Sequence, residues 1–241
     1  MQKRLDVYLS ENNTVKSRSL AASLIKQGSV EVNGRICTKA SFAVDDNDNI
    51  RIIGEMPKYV GRGGLKLEKA LSHYRLHLDG SVCIDIGAST GGFTDCMLQN
   101  GAVKVYSVDV GTDQLDEKLR NDSRVVSMEK TDIRNCVGAL PAVDFIGIDV
   151  SFISLKLVLP SAYALLKDGG ECVALIKPQF EAGKSHLSKH GIVRDSKVQK
   201  KVCDDISEFA STLGFERGEV ISSPITGGDG NTEYLIYLRR L

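Results

Sequence analysis

Apolar residues occur in short runs along the chain from residue 82 onwards, and stretches with helical spacing separate these runs. The apolar runs predict strands at 82–86, 104–108, 124–128, 143–148, 171–176, 217–222 and 234–239. The stretches between them predict helices at 93–99, near 114–120, at 155–166 and at 196–213. Since strands that alternate with helices build parallel sheets, we expect an α/β fold here. The last two strands are expected to form an antiparallel hairpin at the edge of the sheet.

The first 55 residues follow a different pattern. Arg4–Glu11 has the spacing of an amphipathic helix, and a second helix, which Ser17 or Ser19 can cap, ends at Gly28. Polar and apolar residues then alternate on both sides of Asn33–Gly34, which is a hairpin-turn signal. These patterns predict a small α+β domain over 1–55, a linker over 56–62 and the α/β domain over 63–241.

The composition excludes several classes of protein. The formal net charge is zero, with 31 basic and 31 acidic residues, so charge does not indicate a nucleic acid partner for the whole chain. The six cysteines show no Cys-x-x-Cys spacing, and His186 and His190 lie in a polar stretch, so neither a disulfide framework nor a metal site is expected. The chain shows no membrane-spanning run and no signal segment, so we expect a cytoplasmic protein.

A glycine-rich turn follows the first strand of the α/β domain. Gly87, Gly91 and Gly92 stand between the predicted strand 82–86 and the helix that begins at Phe93. A strand, a glycine turn and a helix N-terminus in this order start the nucleotide-binding half of a doubly wound sheet. The spacing matches neither the Gly-x-Gly-x-x-Gly of dinucleotide folds nor the Gly-Lys-Ser/Thr ending of a phosphate loop. A nucleotide without a pyrophosphate group is therefore expected.

Acidic residues near three strand ends indicate which ligand this is. Asp85 could accept a hydrogen bond from an ammonium group, Asp109 from a ribose diol and Asp132 from an adenine amino group. S-adenosylmethionine has all three groups and no phosphate, so we expect it as the cofactor of a Rossmann-like methyltransferase sheet. The alternative is that these aspartates only cap helices. The predicted cofactor-binding residues are Asp85, Gly87, Ser89, Gly91, Gly92, Phe93, Asp109 and Asp132.

Four charged residues stand where the chemistry of such a sheet takes place. Lys66 lies in the first turn of a helix that Gly61-Arg-Gly-Gly opens, and Glu233 begins the last predicted strand. Asp149 and Lys177 each follow an apolar strand directly. Because a lysine at the end of a buried strand is costly unless it is paired, we expect Asp149 and Lys177 to form an ion pair across neighbouring strand ends.

Residues near the N-terminus resemble a known RNA-binding module. The matching motifs are Arg4-Leu5-Asp6, Ser17-Arg18-Ser19 and Gly28-x-Val-x-Val-Asn-Gly34. This part of the chain is similar to a small module of a small-subunit ribosomal protein, which many pseudouridine synthases and tyrosyl-tRNA synthetases also carry. The resemblance implies that Arg4, Arg18 and Lys26 lie on one basic face that meets RNA phosphates. The first 39 residues contain seven Lys or Arg and three acidic residues, although a protein-docking domain is the alternative.

The four charged residues carry a second resemblance. Lys66, Asp149, Lys177 and Glu233 follow the order of the Lys-Asp-Lys-Glu catalytic quartet of FtsJ-like RNA ribose 2′-O-methyltransferases. Together with the N-terminal module, the whole chain resembles the TlyA family, often called haemolysin A. The resemblance implies S-adenosylmethionine-dependent methylation of ribose 2′-hydroxyls in ribosomal RNA, with rRNA or a ribosomal subunit as the partner. Lys177, beside Asp149 and Glu233, would orient the reacting hydroxyl, and Lys66 would steady the substrate or the nearby acid.

Three other functions stay open at this level. The chain could methylate a different acceptor, or it could bind ribosomes through an inactive methyltransferase fold. A haemolysin is the third alternative, but the sequence has neither a signal segment nor an amphipathic membrane hairpin. The glycine turn reads Thr90-Gly-Gly-Phe93, whereas heat-shock-type members of the family have Pro-Gly-Gly-Trp. This departure argues against the substrate of that branch.

Overall fold

The computed structural model describes residues 2–12, 14–15, 18–26, 28–54 and 57–241, with the side chain of Ser19 left out of the description. The predicted cap residue Ser17 and the capping hydroxyl of Ser19 therefore lie outside the described residues and side chains. The chain forms two compact units, Met1–Pro57 and Lys58–Leu241. The boundary between them falls within the stretch 56–62 that the sequence predicts as a linker.

The first unit is a small α+β domain. Its described elements are β1 (Lys3–Arg4), α1 (Leu5–Glu11), α2 (Arg18–Lys26), β2 (Val30–Val32), β3 (Arg35–Ile36), β4 (Ala43–Val44) and β5 (Ile50–Ile52). Strand β1 pairs with β4, while β3, β2 and β5 form an antiparallel sheet. Asn33 and Gly34 have positive φ values of 53° and 76°, as the turn of this hairpin requires. Leu5 and Leu9 of α1 and Leu24 and Ile25 of α2 are buried in its core.

The second unit is built on a seven-stranded sheet. Its strands are β6 (Val82–Ile86), β7 (Lys104–Val108), β8 (Val125–Met128), β9 (Val143–Ile148), β10 (Leu166–Ile176), β11 (Phe215–Ser222) and β12 (Tyr234–Arg240). Their order across the sheet is β11-β12-β10-β9-β6-β7-β8. Strands β6 to β10 are parallel, whereas β12 runs antiparallel to both β10 and β11. The predicted parallel α/β sheet is therefore confirmed.

Helices cover both faces of this sheet. They are α3 (Gly63–Tyr74), α4 (Gly92–Gln99), α5 (Glu117–Arg120), α6 (Leu155–Leu165), α7 (Pro178–Glu181) and α8 (Ser196–Thr212). Apolar residues of α6 and α8 pack on one face, and those of α3 and α4 pack on the other. Gly147 of β9 lets α4 lie close to the sheet, because a Cβ there would meet Met97 Cε at 2.6 Å.

Some elements differ from the sequence prediction. Helix α5 covers only four residues, and β10 begins at Leu166, five residues early, with a register shift before Glu171. The polar stretch 178–195 contains the one-turn helix α7 and a 3₁₀ turn over Lys184–His186. The last two strands pair as an antiparallel hairpin, but only β11 is an edge strand, since β12 lies between β11 and β10. None of the helices in the described part of the chain combines the length and the apolarity that a membrane crossing requires.

Candidate active site

The carboxyl edge of the parallel strands brings together the four charged residues singled out in the sequence, Lys66, Asp149, Lys177 and Glu233, which we call the quartet. Asp149 follows β9 and Lys177 follows the adjacent strand β10. Glu233 precedes β12, whose first residue Tyr234 is paired with Ile176, so Glu233 and Lys177 stand at the same level of the sheet. Lys66 reaches this edge from the first turn of α3.

Close backbone packing positions α3 and the glycine turn. A Cβ on Gly92 would lie 2.8 Å from the backbone nitrogen of Gly64 and 3.1 Å from the carbonyl oxygen of Gly61. A Cβ on Gly87, whose φ is +85°, would lie 2.5 Å from the carbonyl oxygen of Asp149. The two glycine motifs therefore meet without side chains between them, and this contact brings Lys66 next to the end of β9.

The quartet forms a chain of ion pairs. Lys177 Nζ lies 2.6 Å from Asp149 Oδ1, so the ion pair expected across the strand ends is present. Lys66 Nζ lies 3.4 Å from Asp149 Oδ2 and 2.7 Å from Glu233 Oε2. The side chains are 3–17% exposed, so they are largely desolvated while their charges balance.

The structure adds a partner for Glu233. Glu233 stands next to Lys177 at the sheet edge, as expected, but the ion pair that its carboxylate forms is with Lys66. The reason is that Lys66 enters from α3 and fills the space between the two acids. Lys177 instead takes Ser151 as its second partner, with Nζ donating to Ser151 Oγ at 2.9 Å. An ammonium group has three N–H donors, so Asp149 and Ser151 leave one of them for a substrate.

A cavity of about 340 Å³ opens onto the quartet. Its volume lies within the range of small-molecule sites. All four members of the quartet line it, together with Gly87, Ser89, Gly92 and Phe93 of the predicted cofactor-binding set. Gly91, the other predicted glycine of the turn, does not line the cavity and packs against Leu119, whose Cδ1 atom would lie 2.2 Å from a Cβ at this position. One cavity therefore combines the glycine turn and the quartet.

The structure gives Asp85 a different place from the one expected. Its side chain has no exposed surface and does not line the cavity. Its Oδ2 atom accepts hydrogen bonds from the backbone N–H of Thr94 at 2.9 Å and from the Thr94 hydroxyl at 2.7 Å. Burial raises the pKa of Asp85 to about 7. Because β6 continues to Ile86, Asp85 lies within the sheet. Its hydrogen bonds with Thr94 hold the first turn of α4 against the sheet, and the carboxylate does not face the cavity where a ligand's ammonium group would lie.

Asp109 and Asp132 lie outside the lining of the cavity. Asp109 follows β7 directly, and its Oδ2 atom accepts a hydrogen bond from the backbone N–H of Ser89 at 2.7 Å, which ties the strand end to the glycine turn. Asp132 does not close β8, which ends at Met128; it caps the 3₁₀ turn Ile133–Asn135 instead. The Arg134 guanidinium, 2.6 Å from Asp132 Oδ2, holds the pKa of this carboxyl below its usual range. The contacts of Asp132 are therefore those of a helix cap.

Several residues that line the cavity were missed in the sequence. The signal for most of them lay inside motifs that had been singled out, as with Arg62 in Gly-Arg-Gly-Gly and Gln179 and Phe180 after Lys177. Phe152, in Asp-Val-Ser-Phe, is 90% exposed and has a positive φ of 64°, and its ring centroid lies 5.0 Å from that of Phe180. The loop over 225–229 carried no signal beyond its glycines, because a loop's position relative to a distant helix is not encoded locally.

In the first unit, Asp6 organises the predicted RNA-binding residues. Its buried carboxylate accepts hydrogen bonds from Arg4 Nε and Arg18 Nε, each at 2.9 Å, while both arginine side chains stay about half exposed. The Arg4 guanidinium, with Arg18, holds the pKa of Asp6 well below its usual range. Lys26 is exposed at the far end of α2, about 12 Å from Arg18 at 1.5 Å per helical residue.

The sequence matches known proteins over nearly its whole length. Residues 59–240 match the family described as FtsJ-like methyltransferase, and residues 3–50 match the S4 domain. YqxC of Bacillus subtilis, a candidate rRNA methyltransferase, is 46% identical over 98% of this chain and 85% of its own. The 16S/23S rRNA (cytidine-2′-O)-methyltransferase TlyA of Mycobacterium tuberculosis is 38% identical over 98% of this chain and 89% of its own. A solved structure of a candidate hemolysin from Streptococcus thermophilus is 45% identical, with a TM-score of 0.79, and the match covers 99% of this chain and 88% of that one.

Proposed function

The chain belongs to the FtsJ-like methyltransferase family, and we propose that its quartet carries the transfer of a methyl group from S-adenosylmethionine to a ribose 2′-hydroxyl of ribosomal RNA. The ion-pair chain of the quartet, facing a cavity that the glycine turn also lines, is the observation that supports these roles. The S4 domain supplies a second, RNA-binding unit on the same chain.

The residues present fit S-adenosylmethionine. Gly87 and Gly92 line the cavity with backbone atoms, which a ligand can approach closely. Asp109 has further lone pairs on a carboxylate that already meets the turn, and it would accept from the ribose diol of the cofactor. We propose that Gly87, Ser89 and Phe93 hold the cofactor beside the quartet. When bound, S-adenosylmethionine supplies an electrophilic methyl group on a sulfonium.

The quartet prepares the ribose hydroxyl. A hydroxyl group is a weak nucleophile, so it must be aligned with the methyl group, and its proton must leave as the new bond forms. Lys177 lines the cavity and has one N–H beyond those facing Asp149 and Ser151, with which it would hold the hydroxyl oxygen and stabilise the negative charge that develops on it as the proton passes to water. Asp149 fixes the position of Lys177, and Glu233 neutralises Lys66, which in turn balances Asp149.

The aromatic pair at the cavity indicates how the target nucleoside is held. Phe152 exposes almost its whole side chain beside Phe180, and a ring in this position can stack on a base that has been turned out of a helix. Cytidine is the nucleoside that the name of the Mycobacterium tuberculosis relative supports. We therefore propose that a cytidine of ribosomal RNA, presented on the free RNA or on a ribosomal subunit, is the substrate.

The test is single-turnover methyl transfer to rRNA by the wild type and by Lys177→Ala, followed by nucleoside digestion. We expect 2′-O-methylcytidine from the wild type and a rate loss of about 100- to 1,000-fold in the variant. Lys177→Arg should lose nearly as much, because a planar guanidinium does not replace a point charge between Asp149 and Ser151. Cofactor affinity should stay within a few-fold of wild type, because Lys177 faces the hydroxyl.

Lys69→Ala is the matched control, since Lys69 lies exposed on the same helix as Lys66 and should leave the rate unchanged. A folded, cofactor-binding Lys177→Ala protein that transfers methyl within a few-fold of wild type would remove Lys177 from the mechanism. A modified base in the digest, in place of a modified ribose, would refute the proposed acceptor.

A further inference from the structure

The second unit, Lys58–Leu241, is called the catalytic unit from here on. It carries a cluster of positively charged residues that are not part of the quartet. Residues 182–201, which we call the basic segment, contain six Lys or Arg and one acidic residue, Asp195, within a chain whose net charge is zero. Lys200 pairs with Asp204 at 2.7 Å. The five other cations form no ion pair with any residue that the structure describes: Lys184, Lys189, Arg194, Lys197 and Lys201. All five are exposed.

The topology places the basic segment at the same edge of the sheet as the quartet. The segment begins shortly after Lys177, which follows β10, and runs into the first turns of α8. Helix α8 then leads back to the start of β11 at the opposite edge. Residues between a parallel strand and the start of its following helix lie at the carboxyl edge of the sheet, where ligands of such folds bind.

Buried polar contacts tie the basic segment to the loop that lines the cavity. Asn231, which is 2% exposed, accepts from the backbone N–H of Val193 at 3.1 Å and donates to the carbonyl oxygen of Gly191 at 3.1 Å. Gln199 donates to the carbonyl oxygen of Val193 at 2.7 Å and accepts from the Tyr234 hydroxyl at 2.8 Å. Asn231 and Tyr234 flank Glu233 closely in the chain, so the segment is anchored next to the quartet.

We propose that the basic segment binds the phosphate backbone of the RNA substrate on the catalytic unit itself, as a second contact surface that is separate from the S4 domain. This inference rests on the proposed function. Exposed, unpaired lysines and arginines attract phosphates without reading sequence, so the segment positions RNA at the cavity and does not select the base. Its anchoring reduces the ordering that binding requires.

The experiment compares the full-length wild type with the triple variant Lys184→Gln/Lys189→Gln/Arg194→Gln. The probe is a short single-stranded RNA labelled with a fluorophore, titrated at several salt concentrations. Because each lost phosphate contact lowers the slope of log affinity against log salt by about 0.7, we expect the slope to fall by about 2. The KM for rRNA should rise while kcat and the affinity for S-adenosylmethionine stay unchanged.

A triple variant on the opposite edge of the sheet controls for net charge. The control residues Lys104, Arg124 and Lys167 are exposed at the amino ends of β7, β8 and β10. The variant Lys104→Gln/Arg124→Gln/Lys167→Gln therefore removes the same number of positive charges as the first variant. An unchanged slope in the first variant, or an equal loss in both, would overturn the proposal. So would a first variant that loses only its affinity for phosphatidylserine vesicles, since the segment would then belong to a membrane contact. If the wild type transferred no methyl group, the proposed function would be refuted, but the RNA titrations would still test whether the basic segment binds RNA.

Discussion

Removing Lys66 should destabilise the catalytic unit more than removing its partner Glu233. In Lys66→Met, the Glu233 carboxylate, which is 3% exposed, loses the cation 2.7 Å from its Oε2 atom and has no other cation paired with it among the described residues. Breaking a buried ion pair from one side typically costs about 3–5 kcal/mol, because the remaining charge is desolvated and uncompensated. In Glu233→Gln, by contrast, Lys66 keeps Asp149 at 3.4 Å, and its long side chain can move its charge towards the cavity.

The magnitude is large enough to measure. A domain of this size loses about 2–4 °C of melting temperature per kcal/mol, so Lys66→Met should melt about 6–20 °C below the wild type. The double variant Lys66→Met/Glu233→Gln removes both charges and should recover most of that loss, so the coupling energy between the two residues should be about as large as the loss in Lys66→Met. Glu233→Gln alone should lie between the double variant and the wild type.

The assay is urea and thermal unfolding of the full chain followed by far-UV circular dichroism, because the sequence contains no tryptophan for fluorescence. Unfolding of the S4 domain serves as an internal reference, since none of these substitutions lies within it. Additive effects of the two single changes, or a Lys66→Met protein as stable as the wild type, would refute the buried ion pair. Activity plays no part in this test, which therefore separates the architecture of the quartet from its chemistry.

Three further predictions concern the cofactor, pH and the division of the chain. Asp109→Ala should weaken S-adenosylmethionine binding by about 10- to 100-fold, because a charged hydrogen-bond acceptor worth about 1.5–3 kcal/mol is lost. The control Asp113→Ala should leave the affinity unchanged in the same isothermal titration. Equal affinities in the two variants would mean that Asp109 only holds the glycine turn through Ser89. The pKa of Asp85 is raised to about 7 by burial, so between about pH 4 and pH 7 the unfolded chain loses a proton that the folded chain keeps, and the free energy of unfolding falls as pH rises. Asp85→Asn should therefore gain stability relative to wild type as the pH rises from about 4 to about 7 in urea unfolding, and a difference that stays constant over this range would contradict this assignment. A chain that begins at Lys58 should fold and bind the cofactor but lose most of its RNA affinity, which gel-shift titration measures; affinity equal to that of the intact chain would remove the S4 domain as the RNA anchor.

Local patterns could predict the strands of the sheet and the residues of the quartet, because a few consecutive residues are enough to recognise each of them. The strand Val143–Ile148 is a buried apolar run, and the charged residue after it marks the carboxyl edge. The partners of those residues could not be predicted in the same way. In the sequence, Asp85 has the position of an acid at a strand end, yet in the structure its side chain is hydrogen-bonded to Thr94 of α4. Glu233 pairs with Lys66, which lies 167 residues earlier in the chain. Such contacts depend on how helices pack over the sheet, which no local window contains.

The placement of β12 has a consequence for biosynthesis. β12 is made after all the other strands, yet it lies between β10 and β11, and Glu233 immediately precedes it. Until residues 234–240 leave the ribosome, the apolar strand β10 has an unpaired edge and the quartet lacks one acid, whereas the first 57 residues are complete about 10–40 s earlier at 5–20 residues per second. The nascent chain thus presents its folded S4 domain well before it can carry out catalysis. Proteolysis of chains arrested before residue 234 should find only the first unit resistant, and a protected catalytic unit at that stage would contradict this order.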